Sequence, residues 1–235
     1  IIPPNENIGR FLNRGFDFNL AYKNDDHAVK YGVSVNGVLA KNKYLYFDEV
    51  AGVPKYQQQT GHPIGAGLYY DAIGIFRTES DLKKYPAAVN GQAPQLGDLI
   101  FKDVNNDGKV DQLDEVRSYK STVPTFSGGI NFNVRYKAFD LSVLFQGAVG
   151  GTMYLRPNFS LNTNYLASFY QDRWTPNNVN ATFPRFSSGS STYWTDPNGI
   201  YNTFFLHNTD YIRLKNLEFG YTLPASLTNR LKIEH

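Results

Sequence analysis

The stretch that decides the fold runs from residue 130 to residue 147: Ile130-Asn-Phe-Asn-Val-Arg-Tyr-Lys-Ala-Phe-Asp-Leu-Ser-Val-Leu-Phe-Gln-Gly147. Apolar and polar residues alternate up to Tyr136, and the alternation resumes at Phe139 with few exceptions, such as Leu144. A period of two places alternate side chains on opposite faces of a strand. The stretch therefore predicts two antiparallel strands around Lys137-Ala138, each with one apolar and one polar face.

Other segments of the chain repeat this pattern. Residues 15 to 22 and 29 to 36 alternate in the same way across a polar linker, which predicts a second hairpin. Residues 211 to 221 are more mixed, because strict alternation places Arg213 and Lys215 on the face of the aromatic residues in that run. The facing of this last strand is not settled by the sequence.

The alternating runs fit two architectures equally well on periodicity alone. One is a soluble sandwich with its apolar face inward, and the other is an antiparallel transmembrane β-barrel with that face in lipid. Runs of about 8 to 12 residues are close to the roughly 9 to 11 that cross a bilayer at a tilt. Residues 41 to 98 and 148 to 208 are long connections, with helical turns predicted at 165 to 173 and 225 to 232. Long extracellular loops are expected in an outer-membrane barrel, so the lengths favour the all-β barrel.

Composition excludes several classes of function. The 17 Tyr, 17 Phe, 20 Gly and 12 Pro favour a sheet protein with many turns over a helical bundle. Charges nearly cancel, with 23 Lys and Arg against 21 Asp and Glu, so no nucleic-acid partner is expected. The absence of Cys excludes disulfides and thiolate chemistry. No signal peptide opens the chain, which predicts either a mature N terminus or a fragment.

Residues 103 to 114 carry the one sharp chemical motif. Gly108 occupies position 6, where a calcium loop turns sharply, and Lys109 would offer its backbone carbonyl at position 7. Val110 is expected to point inward as an apolar anchor. Side-chain oxygens fall at positions 1, 3, 5, 9 and 12: Asp103, Asn105, Asp107, Asp111 and Asp114.

The loop departs from an EF-hand at its last position and in its context. Asp114 stands where Glu is usual, and a shorter carboxylate there is similar to calcium loops of the dockerin kind. The residues after Asp114 do not predict a helix, which argues against a helix-loop-helix sensor or a dockerin module. We expect a structural Ca²⁺ that stiffens an extracellular loop. The alternative is a solvated Asn/Asp/Gly loop without an ion.

Several segments in order resemble the C-terminal third of SusC/RagA-type TonB-dependent outer-membrane receptors. Earlier segments, Asn13-Arg-Gly-Phe-Asp17 and Gly61-His-Pro-Ile-Gly65, are similar to that family too. The main set, which with the earlier segments covers nearly the whole chain, is Gly97-Asp98, Pro124-Thr-Phe-Ser-Gly-Gly-Ile-Asn-Phe-Asn-Val134, Phe139-Asp-Leu-Ser-Val-Leu-Phe-Gln-Gly147, Arg173-Trp-Thr-Pro-Asn-Asn178, Phe183-Pro-Arg185 and Tyr211-Ile-Arg-Leu-Lys-Asn-Leu-Glu-Phe-Gly-Tyr-Thr-Leu-Pro224.

The resemblance implies a function in transport. Residues 1–235 would be the C-terminal portion of a barrel of about 22 strands in the outer membrane of a Gram-negative, Bacteroidetes-like bacterium. The receptor would import glycans or peptides with energy from TonB and with a SusD-like lipoprotein as lid. The family's plug, TonB box and final strands have no counterpart here, so we expect a truncated polypeptide.

Two other functions were weighed against transport. A hydrolase would need a defined pair of carboxylates, and none stands out among residues that are expected to be solvated or in loops: Asp81, Asp98, Glu115, Asp172 and Glu218. No Gly-x-Ser-x-Gly elbow is present, and we expect no enzyme. The stronger alternative is a soluble, calcium-stabilised carbohydrate-binding β module, whose platforms would be drawn from Trp174, Tyr193, Trp194, Tyr201 and Phe204. The same aromatic residues would otherwise pack the long loops together.

Overall fold

The computed structural model of the protein describes residues 9–155, 167–186 and 200–231. Contacts divide the chain into two compact units. The loop unit comprises Ile1–Phe11, Lys43–Ser121 and Met153–His207, and the sheet unit comprises Leu12–Asn42, Thr122–Thr152 and Asn208–His235.

Thirteen strands and three helices make up the regular structure of the described residues. The strands are β1 (Gly9–Asn24), β2 (Val29–Phe47), β3 (Leu68–Tyr70), β4 (Ala72–Ile75), β5 (Ala88–Val89), β6 (Leu99–Phe101), β7 (Lys109–Val110), β8 (Glu115–Arg117), β9 (Phe126–Tyr136), β10 (Phe139–Val149), β11 (Thr152–Tyr154), β12 (Leu206–Asn208) and β13 (Tyr211–Tyr221). The helices are α1 (Glu79–Lys84), α2 (Ala167–Gln171) and α3 (Ala225–Leu231), with 3-10 turns at Lys55–Gln57, Gln112–Asp114 and Thr203–Phe205.

The five long strands form one sheet in the order β1-β2-β9-β10-β13. The pairs β2–β9, β9–β10 and β10–β13 are antiparallel, which confirms the predicted all-β class and the hairpin around residues 130 to 147. Strands β1 and β2 are 16 and 19 residues long, about twice the lengths that their alternating runs predicted. Backbone hydrogen bonds to neighbouring strands do not require alternating side chains, so a strand can extend beyond the run of alternating residues that predicts it.

The turn between β9 and β10 is as short as the sequence predicted. Tyr136 pairs directly with Phe139, so only Lys137 and Ala138 form the connection. Lys137 takes a positive φ of 53°, a conformation that two-residue hairpin turns commonly require. The register then runs without a shift to the pair Phe126 and Val149.

The loop unit has a hydrophobic core of its own. Short pairs β3–β8 and β4–β6 are antiparallel, whereas β5 and β7 pair in parallel. The buried side chains of this unit pack into one cluster: Tyr70, Ile75, Phe76, Val89, Leu99, Ile100, Phe101, Val110, Phe169, Trp174, Ala181, Ile200 and Phe205. The long connections predicted from the sequence are therefore folded, because they bury enough apolar surface to offset the entropy of ordering them.

The helices are short. α2 and α3 lie within the two helical turns that the sequence predicted, although residues 165, 166 and 232 fall outside the described residues. Pro224 immediately precedes α3, at the position where its fixed φ favours a helix start. Among the described residues, no helix combines the length and apolarity needed to span a membrane.

Candidate functional site

The loop at residues 103–114 folds around its own side-chain oxygens. Both carboxylate oxygens of Asp103 accept backbone hydrogen bonds, from the N–H of Asp107 at 3.3 Å and of Gly108 at 2.8 Å. Asn105 Oδ1 accepts from Asp107 N–H at 3.0 Å. Gly108 has a φ of +84°, the left-handed region that glycine adopts at no steric cost. The predicted sharp turn at position 6 is confirmed.

The second half of the loop is closed by a reciprocal cap. Asp111 Oδ1 accepts from Leu113 N–H at 2.9 Å, and Asp114 Oδ2 accepts from Asp111 N–H at 2.9 Å. Asp114 has no solvent-exposed surface, and its other oxygen accepts from Val104 N–H at 2.7 Å. The last carboxylate of the motif thus ties the end of the loop to its beginning.

The surroundings of the loop match two further expectations. Val110 is 1% exposed and pairs with Val89, so it is the inward apolar anchor that the sequence predicted. A 3-10 turn and then β8 follow Asp111, in place of the exiting helix of a helix-loop-helix. Within the residues that the structure describes, no three His, Cys, Asp or Glu side chains come together as a metal-holding group.

The loop is fastened to the 3-10 turn at Lys55–Gln57, an anchor with no signal in the sequence. Tyr56 Oη donates to the carbonyl of Leu113 at 2.6 Å, and Gln57 Nε2 donates to the carbonyls of Gln112 at 2.6 Å and Glu115 at 2.9 Å. Burial raises the pKa of the Tyr56 phenol, and loop carboxylates raise it further: Asp114, Asp107 and Asp111. The negative charge of the loop carboxylates therefore disfavours ionisation of the Tyr56 hydroxyl.

The sheet unit presents an uncovered apolar face. Register and alternation place four cross-strand rows on it. Exposure ranges from 37 to 71% along these rows, apart from the half-buried Val33, Val35 and Val143. The rows are Val29–Tyr136–Phe139–Tyr221, Tyr31–Val134–Leu141–Phe219, Val33–Phe132–Val143–Leu217 and Val35–Ile130–Phe145–Leu214.

The opposite face of the same sheet is mostly polar. Arg135 stands between Lys30 and Asp140, and Gln146 pairs with Arg213. The other polar members are Ser34, Asn36, Asn131, Asn133, Ser142, Asn216 and Glu218. One sheet thus separates sixteen apolar row positions from a hydrophilic surface, as a membrane barrel wall requires.

A β-bulge corrects the facing that strict alternation predicted for β13. Leu144 pairs with Asn216 while the next residue of β10 pairs with Leu214, so Lys215 has no counterpart. One extra residue reverses the alternation beyond it. The expectation that Arg213 shares a face with Phe219 is therefore wrong, since Arg213 lies opposite Gln146 on the polar face.

Comparisons with known proteins point to one family. No family model matches the chain. Two Formosa agariphila proteins are similar along most of it: TonB-dependent receptor P3 is 26% identical over 97% of the chain, and TonB-dependent receptor P26 is 28% identical over 94%. Structures of the RagAB peptide importer in the open-open state and of the RagAB peptide transporter each match with a TM-score of 0.62, at 20% and 21% identity over 94% of the chain. The chain is thus similar to TonB-dependent receptors in sequence and to the RagAB structures in fold.

The resemblance inferred from the ordered motifs is thereby confirmed. The chain spans 23% of the length of each of these two relatives, and 23% and 24% of the two matched structures. The solved structures support the antiparallel β fold of the barrel type.

Two of the segments that resemble this family meet at a buried ion pair. Arg185 Nε donates to Asp98 Oδ1 at 2.7 Å, and Arg185 N–H donates to the carbonyl of Gly97 at 2.8 Å. Asp98 lies in the bend that precedes β6, which confirms the expectation of a loop residue, and it is only 1% exposed. Burial raises its pKa, and Arg185 together with the Gln95 N–H opposes the rise. The ion pair therefore joins two segments of the loop unit that lie 87 residues apart in the sequence.

Three of the four remaining carboxylates accept a hydrogen bond from a nearby residue. Asp81 caps α1 by accepting from Thr78 N–H at 2.9 Å, which leads the causes that lower its pKa. Asp172 accepts from Thr182 N–H at 3.3 Å, and Glu218 accepts from a side chain two residues away on β13. Glu115 is half-buried on β8, where burial raises its pKa.

The aromatic residues considered as sugar platforms separate into two groups. Trp174 is 9% exposed within the core of the loop unit, and Phe204 packs against that core, which confirms the packing role. Tyr201 is exposed and meets Tyr154 edge to face, with ring centroids 4.9 Å apart. Residues 193 and 194 lie outside the described part of the chain.

Proposed function

We propose that the chain is the C-terminal portion of a barrel that imports nutrients across the outer membrane of a Gram-negative, Bacteroidetes-like bacterium. The named relatives and the matched fold support this proposal. The observation that carries it is the exposed apolar face of the sheet unit, which lies opposite a polar face.

The dimensions of the sheet suit a bilayer. An 11-residue strand such as β9 or β10 is about 37 Å long at roughly 3.4 Å per residue, and a tilt of about 45° reduces its height to about 26 Å. Outer-membrane barrels carry an apolar band about 25 Å tall. The apolar rows therefore have the length needed to contact the hydrocarbon region.

The connections of the sheet unit suggest its orientation. One end has the short turns at residues 25 to 28 and 137 to 138, whereas β10 and β13 are joined through residues 150 to 210 at the other. Outer-membrane barrels keep short turns on the periplasmic side and long loops outside. We place the long connection in the extracellular space.

The soluble carbohydrate-binding module is disfavoured by the same surface. A water-soluble sheet covers its apolar face with a second layer, as sandwiches do. The four rows remain exposed in the described structure, and a patch of this kind in water marks an interface or an aggregation hazard. In a membrane, lipid hydrocarbon would cover the apolar rows, so no second protein layer would be needed.

Partners and cargo follow from the relatives by analogy. The matched structures are of the RagAB peptide importer and the RagAB peptide transporter. For this protein we propose TonB as the energy source, a SusD-like lipoprotein as the partner, and an oligosaccharide or peptide as the substrate.

A deletion experiment tests the import function. Cells that lack the gene should lose growth on a defined panel of glycans and peptides for at least one member, and the intact gene should restore it. Membrane fractionation should recover the protein with the outer membrane. Unchanged growth and uptake across the panel, with the protein in a soluble fraction, would contradict the proposal.

We also propose that the loop at 103–114 holds a structural Ca²⁺. The ligands would be oxygens of Asp103, Asn105, Asp107, the Lys109 carbonyl, Asp111 and Asp114, a donor set that suits a hard cation. The ion would fix the fold of the loop and supply no catalytic step. The turn at Gly108 and the side chains that already wrap the backbone support the proposal.

Calcium binding has a readout that is independent of transport. Ca²⁺ would neutralise the loop carboxylates, so the pKa of Tyr56 should fall towards that of an ordinary phenol when the ion is added. An NMR titration of the ring, assigned with Tyr56→Phe, measures this change. The double variant Asp103→Ala/Asp107→Ala should abolish the response, whereas Asp172→Ala, outside the loop, should keep it. No response of the unmodified protein at millimolar Ca²⁺ would reject the ion.

A further inference from the structure

The β-bulge in β13 determines on which face of the sheet the Arg213 side chain lies. Without the bulge, strict alternation from Phe219 through Lys215 would place Arg213 on the apolar face, where a charge in lipid costs about 2–4 kcal/mol at the bilayer midplane. With the extra residue, Arg213 lies opposite Gln146 on the polar face. Bulges are frequent beside functional sites, where they re-aim a side chain.

The guanidinium of Arg213 is held in place before any ligand arrives. One terminal nitrogen donates to Gln146 Oε1 at 3.1 Å, and the guanidinium carbon lies 5.3 Å from the ring centroid of Tyr211. A stacked guanidinium with one fixed hydrogen bond loses little further freedom when it binds a ligand. Within the described part of the chain, the other N–H donors of Arg213 have no acceptor and are available to a ligand.

The charge of Arg213 is not neutralised by its neighbours. Across the sheet its row contains Gln146, Gly129 and Asn36, all of them uncharged. In the part of the chain that the structure describes, the ion pairs are Lys23–Asp25 and Arg185–Asp98. Glu218, the nearest carboxylate along the polar face of β13, instead accepts a hydrogen bond from Asn216 at 2.6 Å. A pre-positioned cation among neutral amides favours an anionic ligand.

We propose that Arg213 binds a carboxylate of the transported substrate, with Gln146 and Tyr211 as its positioning residues. The inference rests on the proposed import function and names one ligand-contacting residue of that route. Arg213 is the third residue of β13, near the end of the strand that follows the long connection. Its side chain lies on the face that would line the barrel interior. Two sources of carboxylate are compatible with this geometry: the C terminus of a peptide and a uronic acid unit of a glycan.

The test compares acidic and neutral forms of two probes on the complete receptor in detergent. The peptide arm uses a hexapeptide with a free C-terminal carboxylate and the same peptide with a C-terminal amide. The glycan arm uses an oligogalacturonate and a neutral gluco-oligosaccharide of equal length. Calorimetry gives the ratio of the two dissociation constants in each arm, and the arm with a preference identifies the source.

The unmodified receptor should prefer the acidic form of one arm by about 10- to 100-fold, the usual effect of hydrogen bonds to a charged group. Arg213→Gln should bring that ratio to about one without changing the affinity for the neutral form. Arg213→Lys should retain part of the preference, since it keeps the charge but loses the planar fork. Arg135→Gln, a matched change on the same polar face, should leave the ratio unaltered.

A preference that survives in Arg213→Gln, or no acidic preference in the unmodified receptor, would overturn the assignment. A purely structural arginine would weaken acidic and neutral forms equally, which would also overturn it. These outcomes are separable from a failure of the import proposal, because import is judged by growth and uptake after gene deletion.

Discussion

The exposure of the apolar rows leads to a prediction at Val143, which lies near the middle of the 11-residue β10 in the row Val33–Phe132–Val143–Leu217. If this row contacts hydrocarbon, Val143→Arg should lower the free energy of unfolding by about 2–4 kcal/mol, the cost of a cation near the bilayer midplane. Val143→Phe should change it by less than about 1 kcal/mol, because fluid lipid accommodates a larger apolar side chain.

The phenylalanine variant separates lipid from a protein core. In a close-packed interior, the added volume would cost about 1–3 kcal/mol through strain. Guanidinium unfolding of the receptor in lipid vesicles measures both variants, and Ser142→Arg on the polar face serves as the control, with an expected change within about 0.5 kcal/mol. A large loss for Val143→Phe, or equal losses for the two arginine variants, would refute the lipid-facing assignment.

Three further predictions concern the bulge and the buried ion pair. Deleting Lys215 should remove the bulge and leave Arg213 opposite Gln146 on the polar face, so the amount of receptor recovered from the outer membrane should match that of the unmodified protein; a marked loss would contradict the register. Gly97→Ala should lower the melting temperature, since φ is +87° and the new Cβ would lie 2.4 Å from Cε3 of Trp174; a melting temperature equal to that of the parent would contradict the contact. Burial raises the pKa of Asp98 despite Arg185, so the folded protein binds the Asp98 proton more tightly than the unfolded chain does. The stability gained from this proton should be complete below the ordinary carboxyl pKa and be lost as the pH rises through the raised pKa. Asp98→Asn should remove this component from thermal melts taken between about pH 4 and pH 8.

The sequence predicted local structure well because local structure carries a local signal. Alternation located β9 and β10, and the spacing of oxygens around Gly108 located the loop turn that the structure contains. The bulge at Lys215 could not be found this way, because an extra residue is defined only by the strand paired with it.

Contacts between distant segments were also beyond the sequence pattern. Asp98 and Arg185 are 87 residues apart, and Tyr56 reaches the loop across 57 residues. Their side chains are satisfied by groups that no periodicity or spacing rule identifies. The one available signal was indirect: Asp98 and Arg185 both fall within segments that resemble the receptor family.

The two units satisfy the hydrophobic effect in different ways, and their responses to solvent should differ accordingly. The loop unit buries Phe76, Leu99 and Phe169 within its own core, so water is a sufficient solvent for it. Among the described residues of the sheet unit, Ala148 is the one buried apolar side chain, and most side chains of the apolar rows are exposed. Apolar surface gains free energy when it leaves water, whether the cover is protein or hydrocarbon. Removing detergent should therefore unfold or aggregate the sheet unit at a lower threshold than the loop unit, and hydrogen exchange measured segment by segment would show this order. Protection lost simultaneously in both units would mean that the sheet draws its stability from protein contacts and not from lipid.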